Sequence, residues 1–235
     1  MVDSTPSPEE QAEQAQMMLK TRFETARNEF QAILEKHGNS VEVMAAVMNR
    51  WIDMLPAPPP ETACEKGCAH CCYMGQEVSI PEALIVFHEL KNSVTPEGLA
   101  FFRDRIMDMD LRGDITRESW WREHKAACPF LDGTQAQSCL IYGIRPFSCR
   151  AYHSLDAAAC RQGFEEAREV DVPCFPLLKK FTSLYSEAFI QATRARGLHS
   201  YGVGFVKAMV VLFQSEDVGD RWLAGEDVFQ GCQFH

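Results

Sequence analysis

The sequence predicts a mainly α protein in which an irregular, cysteine-rich core is held between helical N- and C-terminal flanks. Three observations predict it. Apolar residues recur at spacings of three and four near both ends of the chain. The middle is dense in cysteine and turn formers, with only short helical pieces between loops. A proline run, PAPPPET at 56–62, cannot be helix interior and separates the first flank from the middle.

The first flank opens with residues 1–8, which read as disordered. EEQAEQAQMMLKTRFETARNEFQAILEKHG then reads as a long helix, because Met18, Leu19, Phe23, Ala26, Phe30, Ile33 and Leu34 share a face and Gly38 suits its stop. Asn39-Ser40 offers a cap for a second helix, VEVMAAVMNRWIDML. In the middle, Ser79, Pro81 and Glu82 mark the start of SIPEALIVFHELKN. TPEGLAFFRDRIMDMD and TRESWWREHKAA also read as helices, and CLIY reads as a short strand. Beyond them, VPCFPLLKKFTSLYSEAFIQATRARG and YGVGFVKAMVVLFQSE supply two apolar helices. The expected division is a helical flank over 1–55, a metal-binding domain over 56–178, and a helical segment over 179–235 packing on it.

The net charge of −10, from 33 acidic and 23 basic residues, argues against a general nucleic-acid binder, which needs a basic footprint. No apolar run approaches the roughly 18 residues of a membrane span. The acidic opening MVDSTPSPEEQAEQAQ does not resemble a secretory signal, so the expected compartment is the cytoplasm. In that reducing setting ten cysteines point to metal or redox chemistry rather than to disulfides.

The cysteines cluster first in CEKGCAHCC, where Cys64, Cys68, Cys71 and Cys72 fall within nine positions. Thiolates two to four residues apart can be aimed at one metal by a single turn. Neighbouring side chains diverge by about 100° in a helix and nearly 180° in a strand, so Cys72 is expected to face a second metal or to bridge. Cys128, Cys139, Cys149 and Cys160 follow. The eight are enough for two four-thiolate sites, or for one cubane iron–sulfur cluster and a further metal. Such centres carry a net charge near −2, and Arg145 and Arg150, flanking Cys149, are placed to offset it from outside the ligand set. Pro129 and Pro146 stiffen the backbone beside ligands.

Other residues are weaker candidates. Cys174, in VPCFP, is a reserve ligand or else a buried thiol. His70, His124 and His153 read as loop or helix residues rather than ligands, and Trp120 and Trp121 as a core and a partly exposed residue. Cys232 and His235 read as a frayed tail. The C-x3-C-x2-C spacing is shared with radical S-adenosylmethionine enzymes. No glycine-rich cofactor loop or alternating βα pattern follows it here, and the extra cysteines do not fit that architecture.

The sequence C-x3-C-x2-C-C, then C-P-F-L, then C-x-I-Y-x-x-R-P-x-x-C-R-x-Y, then a further cysteine, resembles the YkgJ-type cysteine-cluster family. That family is also described as the CxxCxxCC zinc- or iron-chelating domain. The likeness runs over about residues 61–160, with CLIYGIRPFSCRAY its most specific part. The first gap departs from it, with three residues where the family has two. The resemblance implies metal binding at these cysteines, and flagellin lysine methylases contain a similar cluster. The leading expectation is therefore a protein holding an iron–sulfur cluster, [4Fe–4S] by ligand number, and/or zinc. One alternative is a metal- or cluster-dependent enzyme, such as an S-adenosylmethionine-dependent protein lysine methyltransferase. Another is a redox or metal sensor acting on a protein partner through its helical flanks.

Overall fold

In the computed structural model, residues 7–65, 67–110, 123, 125–134 and 137–233 are described. Trp120, Trp121, His124, His235 and most of TRESWWREHKAA lie outside them, as do residues 1–6 of the expected disordered start. The fold is mainly helical, with one two-stranded sheet among the described residues.

Helix α1 spans Pro8–His37 and is closed at its start by a capping box between Ser7 and Glu10. It ends at Gly38, whose φ of 86° is a backbone region that side chains with a Cβ rarely adopt. Helix α2 (Val41–Asp53) begins at Ser40, whose hydroxyl accepts the Val43 N–H at 3.3 Å. After the proline run come a 3₁₀ turn at His70–Tyr73, strand β1 (Glu77–Ser79), and helices α3 (Ile80–Ser93) and α4 (Pro96–Asp110). A 3₁₀ turn at Tyr142–Ile144 precedes the one-turn helix α5 (Phe147–Arg150). Helices α6 (Ala157–Glu166) and α7 (Pro176–Ala195), strand β2 (Gly202–Gly204), and helices α8 (Phe205–Gln214) and α9 (Val218–Leu223) complete the order.

Three expectations need correction. CLIY is not a strand: Cys139 makes one isolated antiparallel bridge to Leu131, after which the chain turns. YGVGFVKAMVVLFQSE is not helical throughout, because Gly202–Gly204 pairs antiparallel with Glu77–Ser79 and only then does α8 begin. Cys232 is not frayed. It is 5% exposed, packs into the main core, and its carbonyl accepts the Gly204 N–H at 2.7 Å.

The core is centred on Trp51, at the end of α2. Its ring stacks on Tyr185 at 4.9 Å and meets Phe189 at 4.9 Å, Phe30 at 5.8 Å and Phe147 at 6.5 Å. These rings come from α1, α2, α5 and α7, so both flanks and the middle of the chain share one apolar centre. Each fully buried aromatic removes roughly 150–250 Å² from water, worth on the order of 4–6 kcal/mol before entropy. A second aromatic group, Phe102, Phe130 and Phe205, joins α4 to α8 through the loop that carries Cys128.

Candidate metal centre

Two cysteines are positioned by aromatic anchors two residues away. Cys128 precedes Phe130, which is fully buried and lies 5.4 Å from both Phe102 and Phe205. Cys149 follows Phe147, which is fully buried against α2 and α7. Each ring fixes its short loop to the core. The loops are then sewn together by backbone bonds. Cys128 N–H donates to Cys72 O at 2.7 Å, and Leu140 N–H donates to Phe130 O at 2.8 Å.

Glu82 ties the second anchor to the helices. It is 0% exposed, and its carboxylate accepts the Ser79 N–H (2.9 Å), the Ser79 hydroxyl (2.6 Å), the Phe147 N–H (2.7 Å) and the Ser186 hydroxyl (2.6 Å). The residue that closes the capping box of α3 therefore also holds the N-terminus of α5, and with it Cys149. Sequence reasoning identified Glu82 only as a helix start. A contact 65 positions downstream leaves no local signal.

Burial raises the thiols from all of these segments, most strongly at Cys128 and Cys149. Burial pushes the Cys149 thiol up to about 12, reinforced by Cys71 and Cys139. Cys128 is raised further, again first by burial and then by Cys149 and Cys139. Cys139 is raised by burial, with Cys71 adding to it. The Cys71 thiol is held well above its ordinary value by its hydrogen bond with Cys72 and by burial. Cys64, Cys68, Cys160 and Cys174 are also raised mainly by burial, and Cys71 adds to Cys64, Cys68 and Cys160 as it does to Cys139 and Cys149. All ten cysteines are free thiols.

Arg145 is the cation of the site. Its charge lowers Cys64, Cys71, Cys139 and Cys149 against the effect of burial. Its guanidinium stacks 3.7 Å over the exposed Tyr142 ring and donates to the carbonyls of Tyr142 (3.3 Å) and Cys149 (3.4 Å). Arg150 donates to the carbonyls of Arg145 (2.9 Å) and Gly143 (2.6 Å). The two arginines clamp the loop between Cys139 and Cys149 and bring positive charge to the thiols.

The histidines stand differently. His70 is half-buried and packs on Phe164 at 5.6 Å, which makes it a contact between the cysteine loop and α6. His153 has a buried Nδ1 with no hydrogen-bond partner, and Thr62 Oγ1, two residues before Cys64, is likewise unpartnered. Buried orphans of this kind call for an ion or a solvent partner.

Residues 63–174 match the model of the CxxCxxCC family, described as a putative zinc- or iron-chelating domain. This segment is similar to the cysteine-cluster domain of that family. The match covers slightly under half of the chain and ends on Cys174, so the CxxCxxCC domain encloses nine of the ten cysteines. No curated protein and no solved structure matches the chain.

The donor set of the CxxCxxCC domain fits a thiophilic metal: many soft sulfurs, an adjacent arginine, and orphaned polar atoms beside them. Among the described residues, no group of three or more Cys, His, Asp or Glu side chains is arranged to hold a metal ion. Metal binding would displace thiol protons and require these segments to draw together. No helix among the described residues is long and apolar enough to cross a membrane.

Proposed function

We propose that the chain is a cytoplasmic metal-binding protein whose thiolates hold zinc or an iron–sulfur centre. One observation carries the reading. Cysteines from separate segments, spread from Cys64 to Cys174, act on one another's ionisation, and four of them, Cys64, Cys71, Cys139 and Cys149, share one arginine, Arg145. Thiol gathering of this density has a cost unless it is used, because it places protonated sulfurs where apolar side chains would pack better. Cys64, Cys68, Cys71, Cys72, Cys128, Cys139, Cys149 and Cys160 are the ligands in this reading, and Arg145 and Arg150 offset their charge. A bound metal supplies the folding energy that the loops of the domain lack.

The test is metal analysis of protein purified without oxygen. Iron and acid-labile sulfide with visible charge-transfer absorbance establish a cluster, whereas colourless protein with stoichiometric zinc establishes a zinc site. Protein that takes up neither metal overturns the reading. The resemblance to flagellin lysine methylases makes methyl transfer the alternative activity, and calorimetric binding of S-adenosylmethionine is its direct check.

A further inference from the structure

A cavity of about 220 Å³ lies between the small sheet and helix α7, and no cysteine lines it among the described residues. Strand β1 supplies Glu77 and Ser79, α5 supplies Ser148, and α7 supplies Ser183, Ser186 and Glu187. The α7 residues are three and four positions apart, so one face of that helix makes a wall. Ser79 is fully buried and belongs to the floor, whereas Glu77, Ser183 and Glu187 are exposed and form the rim. No Lys, Arg or His lines the cavity among the described residues.

The floor hydroxyls are committed as acceptors. Ser79 and Ser186 both donate their hydroxyl protons to Glu82 Oε2, each at 2.6 Å. With those protons spent, their oxygens can meet a ligand only by accepting from it. Glu82 is itself 0% exposed, and the four donors that hold its charge are all neutral. A buried charge without an opposite charge is costly, and one hydroxyl separates this carboxylate from the cavity. Ser148 Oγ is buried and makes no well-formed hydrogen bond, although it favours the Cys149 thiolate. At the rim, Glu187 accepts the Gln191 amide N–H at 2.8 Å. The Glu77 side chain lies over Gly202, where a Cβ would stand 2.5 Å from its Oε1, and it makes no side-chain hydrogen bond or ion pair among the described residues.

We propose that this cavity binds a primary ammonium group, carried by a short aliphatic diamine. An ammonium has three donors and no acceptor, which matches a floor of spent hydroxyls. Seated there, it donates to the Ser79 and Ser186 oxygens and brings to Glu82 the positive charge that its four donors lack. The second ammonium remains at the rim, beside the Glu77 and Glu187 carboxylates. The volume equals roughly seven water molecules at about 30 Å³ each, which suits a chain of about six heavy atoms. An anionic ligand would meet acceptors and negative charge alone. A metal ion is the wrong occupant, because no group of three or more Cys, His, Asp or Glu among the described residues is arranged to hold one. The site goes beyond the metal-binding reading and does not depend on it.

The experiment is equilibrium dialysis of the full-length protein against labelled 1,4-diaminobutane, with 1,4-butanediol as the uncharged competitor of the same length. One diamine is expected per chain, with a Kd of about 1 mM or tighter, and the diol should not displace it. Glu77→Gln and Glu187→Gln change exposed rim residues without disturbing the core, and each should weaken binding about tenfold, as loss of one hydrogen bond to a charged group does. Glu13→Gln, on the exposed start of α1, is the control expected to leave binding unchanged. No bound diamine at about 1 mM overturns the proposal, as does displacement by the diol. Equal weakening in Glu13→Gln and the rim variants also overturns it, by showing a diffuse counterion on an acidic surface. Displacement of the diamine by magnesium or calcium at equal concentration would reassign the cavity to an inorganic cation and overturn the diamine site.

Discussion

Replacing Glu82 by alanine isolates the strongest polar tie between the helices and the cysteine loops. The carboxylate is fully buried and accepts four hydrogen bonds, from Ser79 (twice), Phe147 and Ser186. The two hydroxyl donors can rotate toward other acceptors. The Ser79 and Phe147 N–H groups are fixed by their backbones and would be left unpaired. Each orphaned buried donor costs about 1–3 kcal/mol, so the two together cost about 2–6 kcal/mol. That is a large part of the roughly 5–15 kcal/mol by which domains are stable. Glu82→Gln keeps the shape but turns an amide N–H₂ toward one of the donors, and should cost about 1.5–3 kcal/mol, the range for hydrogen bonds to a charged group. The assay is urea unfolding of wild type, Glu82→Gln and Glu82→Ala at equal metal loading, so that linkage to bound metal is the same in each. A Glu82→Ala protein within about 0.5 kcal/mol of wild type, the range of ordinary surface substitutions, would refute the reasoning.

Two further outcomes follow from the charges at the site. Arg145→Met removes the cation shared by Cys64, Cys71, Cys139 and Cys149 while keeping an unbranched stem, and should weaken zinc affinity about 10–100-fold in competition titrations; Arg168→Met, at an exposed ion pair with Glu166, is the control expected to leave it unchanged. The raised thiols also set a pH dependence with a definite sign. In the metal-free protein the Cys149 thiol is pushed from 9.0 up to about 12, so its stabilising effect is fully present below pH 9.0 and is lost as pH rises toward 12. Metal-free protein should thus lose stability in alkaline urea titrations. A thermal midpoint that rises between those pH values would contradict the assignment of Cys149 as a buried neutral thiol.

The helices were legible wherever the chain carries its own punctuation. Ser40 announces α2, Gly38 ends α1, and the Ser79-Pro81-Glu82 sequence starts α3 where expected. Strands β1 and β2 were not legible, since three residues are too few to show an alternating period. Helix α6 was missed because its cap, Asp156, sits among cysteines that drew a metal-loop reading. Cys232 was misread because proximity to a terminus says nothing about a carbonyl paired with the edge of β2. The cysteine pattern announced metal chemistry plainly. It does not show that Cys174 lies opposite Ser154, which only the antiparallel pairing of 153–155 with 173–175 brings alongside.

The position of Phe147 bears on why the chain extends well beyond the CxxCxxCC segment. Within that segment Phe147 faces Trp51 of α2, and Tyr185 and Phe189 of α7, all of which lie outside residues 63–174. Ser186, a donor to Glu82, lies outside as well. Phe130 has the same dependence, meeting Phe205 of α8. The two anchors that place Cys149 and Cys128 therefore use packing partners that the segment does not contain. A loop-rich domain with protonated thiols in its interior has little apolar surface of its own to bury. The flanking helices supply that surface. On this argument they set the geometry of Cys128 and Cys149 before any metal arrives.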